Sequence, residues 1–548
     1  MTELYQISSL EKVMPKSCLN TECIKDMTVL HGEDGAYQIA FKDKHKTKIK
    51  IEIKGDICDY VSVYSVGNVP VMLATFEEAE NDTNYISKEP GMYPDILNPV
   101  ENGEIEATGS YQSLWVRVDK KAPPGLHNIT VELSSENETR VCCMEYKIID
   151  ISLPESDIVY TQWFHVDCLA VYYNVPMWSE EHWCLIEKYI KTATGYGINM
   201  ILTPIFTPPL DTAVGGERPT TQLVGVTKEA NSYTFDFTLL KRWIKLCLKC
   251  GIKYFEVSHL FTQWGSRFTP KIIAEENGEE KRIFGWDVSS EDKSYENFLE
   301  QFLPCLVSFL KEEKVYDSTY FHISDEPKME HLEYYLHAKK IVTGIIPEEK
   351  IIDALSEYEF YRQGITQNPI VAIDQMNSFV GKVKNLWGYY CCVQVNGVSN
   401  RMIAMPSVRN RYISLQMYKY RLKGFLHWGY NFYYSALSIK PINPMFQTDG
   451  DGDFPAGDPF SVYPGKDGPI VSIRLAVFYH ALQDLAAMRL LEEYIGYDET
   501  LKLIESVAGN VVFDKCASKS DIILKTRQRV NERLEQEINK THTQKTRR

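Results

Sequence analysis

The sequence has no excess of positive charge. Its 548 residues include 59 Lys and Arg against 74 Asp and Glu, which gives a formal net charge of -15 at pH 7. A balance of this sign argues against nucleic acid and against an anionic membrane surface as partners. No apolar run is long enough to span a bilayer, and the residues after Met1 show no basic segment followed by an apolar core. We therefore expect a protein that works in the cytoplasm.

The motifs of phosphate, metal and serine chemistry are also missing. The sequence contains no Gly-rich phosphate loop, no His-Glu-x-x-His and no Gly-x-Ser-x-Gly. The acidic stretch 449–453 lacks the terminal Glu and the flanking helices of an EF-hand, so we interpret it as a solvated turn, with calcium binding as the alternative. Cys247 and Cys250 lie in a helical pattern without a second pair at zinc spacing, which favours reduced, buried thiols. We expect no metal and no cofactor.

Hydrophobic residues at 44% and charged residues at 24% are typical of a globular protein, and the length allows two or three domains. Residues 1–152 contain short apolar or alternating runs separated by turn residues, without intervening helical patterns. The runs are 49–53, 60–66, 69–74, 113–118 and 129–133. They predict an N-terminal β-sandwich. The stretch 82–102 is predicted to be an irregular loop that covers another surface.

After residue 153 the pattern changes to strands that alternate with amphipathic helices. Eight strand candidates occur at 158–165, 198–204, 253–259, 319–324, 350–356, 370–374, 386–391 and 424–430. Helical patterns lie at 180–194, 239–249, 296–311, 327–342 and 407–422, and a last helix is predicted at 470–491. Eight such units predict an α/β fold, a (β/α)8 TIM-like barrel, over residues 153–495. Residues 496–548 form a C-terminal extension with a charged helix that we expect to be solvated on most sides, with homo-oligomer formation left open.

Asp325 and Glu326 stand side by side at a predicted junction between a strand and a helix. The apolar run before them is typical of a buried strand, and Pro327 can occupy the first turn of a helix. In a barrel this junction lies at the carboxyl end of the strands, where active sites are built. The alternative is that one of the two acids only caps the helix.

Residues just beyond the other predicted strands would meet at the same mouth. They combine carboxylates, imidazoles, an amide, a guanidinium and large rings, a mixture that sugar recognition requires. The candidates for substrate binding are His165, Asp167, Asp211, Arg218, His259, Trp264, Tyr390, Asn396, Trp428 and Tyr430. Each also has a structural reading, such as a buried histidine with satisfied hydrogen bonds or a tryptophan in the core. The loop 208–219 is either a lid or a fixed part of the rim.

Several of these segments resemble a known family. Residues 115–118 with Pro124-Gly125 resemble the N-terminal module of proteins that carry domain of unknown function 4091. Residues 322–327, 389–392 and 424–431 resemble the catalytic part of the same proteins. That family is related to glycoside hydrolase family 123, whose members are β-N-acetylgalactosaminidases. The resemblance covers roughly residues 50 to 490 and implies a glycoside or short oligosaccharide as substrate.

The resemblance also implies substrate-assisted retention. Glu326 would protonate the leaving oxygen and later activate water, while the 2-acetamido carbonyl of the substrate attacks the anomeric carbon to give an oxazolinium ion. Asp325 would hold the acetamido nitrogen, Tyr390 is a candidate to contact the acetamido carbonyl, and Trp428 is a candidate platform for the sugar ring.

Two alternatives remain open at this point. One is a retaining glycosidase with a carboxylate nucleophile on another strand, such as Glu256 or Glu357. The other is a carbohydrate-binding barrel without catalysis.

Overall fold

The computed structural model describes residues 1, 3–16, 19, 22–43, 47–136 and 138–546, with side chains described up to residue 540. Within that part of the chain, no helix combines the length and the apolar character that crossing a membrane requires.

The N-terminal region is rich in β-structure, as predicted. The strands among its described residues are β1 (Glu3–Ser8), β2 (Asp26–His31), β3 (Gly35–Lys42), β4 (Lys48–Lys54), β5 (Val61–Val71), β6 (Gly91–Pro99), β7 (Glu104–Glu106), β8 (Tyr111–Val118), β9 (Gly125–Ser134) and β10 (Thr139–Ser152). One sheet has the order β1-β3-β8-β5-β6 and the other has the order β2-β10-β9-β4-β7. Tyr37 and Val116 of the first sheet share a core with Val131 and Tyr146 of the second. The two sheets therefore bury their apolar faces against each other.

The prediction of an irregular loop over 82–102 is wrong in its second half, which contains β6. This strand pairs with β5 and lies at the edge of its sheet. Proline has no amide hydrogen, and at an edge the missing donor of Pro94 costs the sheet no hydrogen bond that it requires. The first half of the stretch covers another surface, as predicted. Arg409 donates to Asp82 at 2.8 Å, and the Tyr85 hydroxyl donates to the Val395 carbonyl at 2.8 Å.

The rest of the chain alternates strands and helices. The strands are β11 (Val159–Gln162), β12 (Met200–Thr203), β13 (Gly225–Glu229), β14 (Ser232–Asp236), β15 (Tyr254–Val257), β16 (Ile272–Glu276), β17 (Glu279–Phe284), β18 (Thr319–Phe321), β19 (Asp353–Ala354), β20 (Pro369–Ala372), β21 (Trp387–Tyr389), β22 (Gly424–His427), β23 (Val462–Gly465) and β24 (Gly468–Val471). The helices are α1 (Val166–Tyr173), α2 (Glu180–Gly195), α3 (Thr238–Lys249), α4 (Lys293–Glu312), α5 (Leu332–Thr343), α6 (Tyr358–Arg362), α7 (Ser407–Lys419), α8 (Ile473–Ile495), α9 (Tyr497–Ala508) and α10 (Ser520–Thr546).

Eight parallel strands form one curled sheet, and all eight predicted strands belong to it. Its order is β18-β15-β12-β11-β22-β21-β20-β19, so most strands lie beside their neighbours in the chain. The two ends of this order meet at a parallel bridge between Phe321 and Ile351, where the Ile352 amide donates to the Phe321 carbonyl at 3.0 Å. Inward-facing side chains such as Met200, Ile370 and Trp387 fill the concave side. The carboxyl ends of the strands therefore face one common mouth.

Two β-elements in this region are absent from the sequence prediction. The first is a four-stranded sheet, β14-β13-β16-β17, made from the connections that follow β12 and β15. The second is the hairpin β23–β24, which occupies the first residues of the helix predicted at 470–491. Helix α8 begins at Ile473, where the Ser472 side chain accepts from the Leu475 amide as an N-cap.

The expectation that the C-terminal helix is mostly solvated is wrong for its first half. In α10 the side chains of Ile523, Val530 and Leu534 are buried, and the helix packs on α8 and α9. Arg527 is also buried and forms ion pairs with Glu33 and Asp484. The apolar residues are few, but they share one face of the helix and meet a preformed surface.

Candidate active site

Asp325 and Glu326 lie in an irregular segment between β18 and α5. The helix begins at Leu332, so neither acid caps it, and the capping alternative is wrong. The Trp264 amide donates to the Asp325 carbonyl at 2.9 Å, and the Glu326 amide donates to the Ala354 carbonyl at 3.0 Å. Glu326 has a left-handed backbone with φ of 44°, a conformation that most side chains avoid. Neighbouring strand ends thus hold both acids at the mouth instead of letting them alternate across a strand.

A pocket of about 140 Å³ opens above these two acids. Its wall comes mainly from the segments that follow six of the eight strands of the curled sheet. The lining residues are Trp163, Leu210, Asp211, Gln263, Trp264, Asp325, Glu326, Ala354, Tyr389, Cys391, Cys392, Leu426, Trp428 and Phe454. Of the predicted site residues, the structure brings together Asp325, Glu326, Asp211, Trp264 and Trp428 here.

Tyr389, and not Tyr390, is the tyrosine of the pocket. Its hydroxyl donates to Glu326 Oε1 at 2.6 Å and lies 3.2 Å from the Ser356 hydroxyl. Tyr390 points to the opposite face of β21, where its hydroxyl donates to Asn410 Oδ1 at 3.1 Å. The prediction for Tyr390 is corrected because successive strand residues alternate between faces. Trp387 and Tyr389 both face inward. Because side chains alternate along a strand, the sequence could have assigned Tyr389 to the same face as Trp387.

Burial and the adjacent Glu326 carboxylate raise the pKa of Asp325 well above its usual value. Both causes act in the same direction, because a second negative charge is costly in a poorly solvated site. His322 partly opposes the shift, since its positive charge favours the Asp325 anion. The pocket therefore retains a proton at pH values where an exposed aspartate is ionised.

His322 lies directly below the acids and is completely buried. Its Nε2 is 3.1 Å from Glu256 Oε2 and its Nδ1 is 3.6 Å from Asp353 Oδ1. Burial alone would lower the pKa of His322, but Asp353 and Glu256 together raise it to about 9. Glu256 also accepts from the Thr161 hydroxyl at 2.6 Å. Glu256 is therefore engaged by buried partners within the curled sheet and does not line the pocket.

Trp428 and Asp211 form two further sides of the pocket. Trp428 Nε1 donates to Asp458 Oδ2 at 2.8 Å, which fixes the indole. Burial raises the pKa of Asp458 to about 7 and the pKa of Asp211 to about 6. Gly429 lets the segment with Trp428 pack closely against Pro459, since a Cβ at position 429 would lie 2.4 Å from the Pro459 carbonyl oxygen.

Three predicted site residues form a buried cluster behind the pocket. Arg218 donates to both carboxylate oxygens of Asp167, at 2.8 and 2.7 Å, and its Nη2 is 3.2 Å from His165 Nδ1. His165 Nε2 in turn lies 3.0 Å from the Trp428 carbonyl oxygen. The prediction that these residues contact substrate is corrected: they support the Trp428 segment from behind, because their polar groups are satisfied by one another.

Three other predicted residues also lie outside the pocket lining. His259 is buried and stacks on His322 with 4.4 Å between ring centroids. The Tyr430 hydroxyl donates to the Tyr189 carbonyl at 2.9 Å, which places that ring in the core. Asn396 is exposed and does not line the pocket. In the described part of the chain, no three His, Cys, Asp or Glu side chains cluster so as to hold a metal ion.

Comparisons with known proteins give the family and the fold. A family model described as the catalytic domain of glycoside hydrolase 123 matches residues 163–491. The fold is similar to that of a family 123 glycoside hydrolase from Clostridium perfringens, with a TM-score of 0.75, 14% sequence identity, and 99% of each chain covered. A structure of Bacteroides uniformis β-glucuronidase 3 also matches, with 10% identity and coverage of 84% of this chain and 50% of that one, but its TM-score of 0.30 does not indicate a shared fold. Among curated proteins, none matches the sequence. Since the family model spans more than half of the chain, this protein belongs to glycoside hydrolase family 123 and is a glycosidase.

Proposed function

We propose that this glycosidase is an exo-acting β-N-acetylgalactosaminidase or hexosaminidase that uses substrate-assisted retention. The observation that carries the proposal is the adjacent pair Asp325 and Glu326 in one small pocket, with Tyr389 donating to Glu326. A pair this close in sequence serves two tasks at neighbouring atoms of one substrate. It cannot bracket a sugar ring from opposite faces, as the usual acid and nucleophile of a retaining glycosidase do.

In this proposal Glu326 is the general acid and then the general base. It donates its proton to the glycosidic oxygen as the bond to the anomeric carbon breaks, and it later takes a proton from the attacking water. The 2-acetamido carbonyl oxygen of the substrate forms the new bond to the anomeric carbon. Asp325 accepts a hydrogen bond from the acetamido N–H. The positive charge that develops on the oxazolinium ion favours the ionised form of Asp325, and the negative charge of Asp325 in turn stabilises the ion.

Tyr389 takes the role that the sequence resemblance suggested for Tyr390. Its hydroxyl is in the pocket and can donate to one acceptor at a time. In the present structure that acceptor is Glu326 Oε1. Transfer of this hydrogen bond to the acetamido carbonyl would orient the nucleophile and would leave Glu326 free to hold its proton. Trp428, with its indole fixed by Asp458, supplies the flat apolar face for the sugar ring.

A glycosidase with a protein nucleophile is the second candidate. Neither Glu256 nor Glu357 lines the pocket, and Glu357 accepts from the Met329 amide at 3.1 Å. Asp211 does line it, but its Oδ2 accepts a hydrogen bond from the Leu437 amide at 3.1 Å, which ties this carboxylate to the wall of the pocket. Together these placements favour the substrate-assisted reaction over its rival.

A panel of para-nitrophenyl glycosides with and without the 2-acetamido group tests the proposal. Hydrolysis should require that group, and a thiazoline analogue of the oxazolinium ion should inhibit competitively. Efficient cleavage of substrates without the acetamido group, together with no inhibition by the thiazoline, would favour a carboxylate nucleophile. Binding of glycosides without any turnover would support the carbohydrate-binding alternative.

Four finer statements belong to the same proposal. We infer that the curled sheet acts as a closed (β/α)8 barrel and that the two N-terminal sheets form a sandwich, which an experimental structure would test. A cytoplasmic location remains a prediction for cell fractionation, and self-association remains one for light scattering.

A further inference from the structure

Apolar side chains project into solvent around the mouth of the catalytic pocket. Trp264, which forms part of the pocket wall, is 45% exposed. Val214, Leu437 and Ile439 are 70%, 36% and 69% exposed. Isolated apolar residues on a surface need no explanation, but these four come from three loops that meet at one place.

Hydrogen bonds connect the three loops. The Ala213 amide donates to the Leu437 carbonyl at 2.9 Å, and the Leu437 amide donates to Asp211 Oδ2 at 3.1 Å. Gln263 Nε2 donates to the Thr212 carbonyl at 3.0 Å. The loop with Val214, the loop with Trp264 and the loop with Leu437 therefore form one continuous rim beside Asp211.

The backbone of this rim is strained where it presents the apolar side chains. Trp264 and Leu437 have φ of 55° and 57°, and Asp211 and Ser438 have φ of 39° and 55°. None of these residues is glycine, and a left-handed backbone is unfavourable for a residue with a Cβ. Strain of this kind persists where the surrounding structure enforces it, and it is concentrated at functional sites. Two large apolar side chains are thus held in solvent by a backbone that would suit glycine better.

The position of the rim determines which part of a substrate it can touch. Asp325 and Tyr389 stand inside the pocket, and the Trp264 amide donates to the Asp325 carbonyl. In the proposed exo-acting reaction the terminal sugar occupies the pocket next to these groups. The group attached to its anomeric oxygen must then leave through the mouth and pass the rim.

We propose that the rim formed by Val214, Trp264, Leu437 and Ile439 is a binding site for an apolar aglycone, an alkyl or aryl group attached to the cleaved sugar. This inference rests on the proposed exo-acting function and adds the chemical class of the leaving group. A second sugar fits the rim less well, because the side chains of Val214, Leu437 and Ile439 offer no hydrogen-bond partner for its hydroxyls.

Methyl and octyl glycosides of one sugar test the proposal. The sugar is the one that the glycoside panel identifies, so a wrong assignment of the acetamido requirement changes the sugar and leaves this comparison intact. The two leaving alcohols have similar acidity, and their chemical steps therefore have similar barriers. The native enzyme should show a kcat/KM for the octyl glycoside about tenfold or more above that for the methyl glycoside, because several methylenes become buried.

Trp264→Asn and Leu437→Asn should each reduce this octyl-to-methyl ratio by about three- to tenfold. Asn tolerates a left-handed backbone, so both changes remove apolar surface without adding strain. The matched control is Leu126→Asn, a 60% exposed leucine of β9 in the N-terminal sheets, which should leave the ratio at its native value. Melting temperatures of all variants verify that they fold.

A native ratio near one would overturn the proposal, as would a ratio that neither rim variant changes. A disaccharide cleaved more than tenfold faster than the octyl glycoside, with a loss of that preference in Trp264→Asn, would instead make the rim a site for a second sugar. Conversion of a dimer to a monomer by Leu437→Asn, without a change in the ratio, would make it an interface between two copies of the chain.

Discussion

Asp325 and Glu326 touch the same pocket, but they should fail in different ways when replaced. Glu326→Gln removes the proton donor, and a general acid typically contributes about 10²–10⁴-fold to the rate. An aryl leaving group with a low pKa needs little protonation, so its cleavage should survive much better than that of a natural glycoside.

Asp325→Asn leaves the proton donor in place and removes the negative charge that stabilises the oxazolinium ion. The decrease in kcat/KM caused by Asp325→Asn should therefore be similar for aryl and natural glycosides. The measurement is the ratio of kcat/KM on the two substrates for each variant, with the native enzyme as the reference. Equal ratios in the two variants, or full activity in either one, would contradict the assigned roles.

The raised pKa of Asp325 has a consequence for stability. The folded-state pKa lies above the unfolded value of about 3.9, so ionisation of Asp325 is less favourable in the fold than in the unfolded chain. The free energy of unfolding that this group contributes is therefore lost as pH rises from about 3.9 through the folded-state pKa. An asparagine at position 325 cannot ionise, so the variant Asp325→Asn avoids this loss of stability. Its melting temperature should be about 1–3 °C above that of the native protein at pH 8.

At pH 4 the same variant and the native protein should melt at nearly the same temperature, which serves as the internal control. Differential scanning calorimetry at both pH values measures the difference. A melting temperature below the native one at pH 8 would mean that the Asp325 charge is stabilised in the fold.

At the scale of single elements, helix α10 depends on one buried cation. Arg527 pairs with Glu33 of the N-terminal region and with Asp484 of α8, and Asp484 also accepts from Arg411. Arg527→Leu leaves Glu33 without its ion-pair partner in a buried position. Loss of one partner from a buried pair costs roughly 3–5 kcal/mol, and chemical denaturation followed by tryptophan fluorescence should show a decrease of that size.

Arg529→Leu is the matched control on the same helix. Arg529 is exposed and pairs with Glu532 one turn away, so its replacement should change the free energy of unfolding by less than about 0.5 kcal/mol. If both substitutions decreased the free energy of unfolding by a similar amount, the Arg527 ion pairs would not contribute specifically to stability.

Predictability from sequence also differed between elements. The eight strands of the curled sheet were correctly identified because buried parallel strands appear as short apolar runs between helical patterns. The four-stranded sheet of β13, β14, β16 and β17 was missed, since its strands are short and one outer strand is polar; β17 begins with Glu279, Glu280 and Lys281. Strands of this kind are stabilised by pairing with distant segments, which local composition does not report.

At the scale of the whole molecule, buried ion pairs connect the N-terminal region to the helices that follow the curled sheet. Arg474 of α8 pairs with Asp95 of β6 at 2.9 Å, and Arg409 of α7 pairs with Asp82. In a fragment of residues 153–548, Arg409 and Arg474 would lack the aspartates with which they form ion pairs. We expect that fragment to be aggregated or unfolded by size-exclusion chromatography and circular dichroism, with the full chain as the control.

A fragment that is monomeric, folded and active would contradict this expectation and would support an independent barrel domain. The boundary between residues 149 and 159 stays a prediction, which limited proteolysis of the full chain tests.

The whole enzyme should also be independent of metal ions. Proton transfer by a carboxyl group and attack by the acetamido group of the substrate supply the complete reaction without a Lewis acid. Prolonged dialysis against EDTA should therefore leave kcat/KM unchanged, with a buffer-dialysed sample as the control. Activity lost on dialysis and restored by zinc or calcium would refute this prediction.

The sequence by itself determined the α/β class, the eight parallel strands and the two acids at the carboxyl end of the fourth. These features depend on local patterns: apolar runs, helical spacing and a proline after two carboxylates. Only the tertiary structure decided which polar residues reach substrate. Tyr389 faces the pocket and Tyr390 faces a helix because the register of β21 sets the direction of each, and one residue of shift reverses both. Likewise Arg218 and Asp167 satisfy each other behind the wall, a pairing of residues 51 positions apart that only the folded chain brings about.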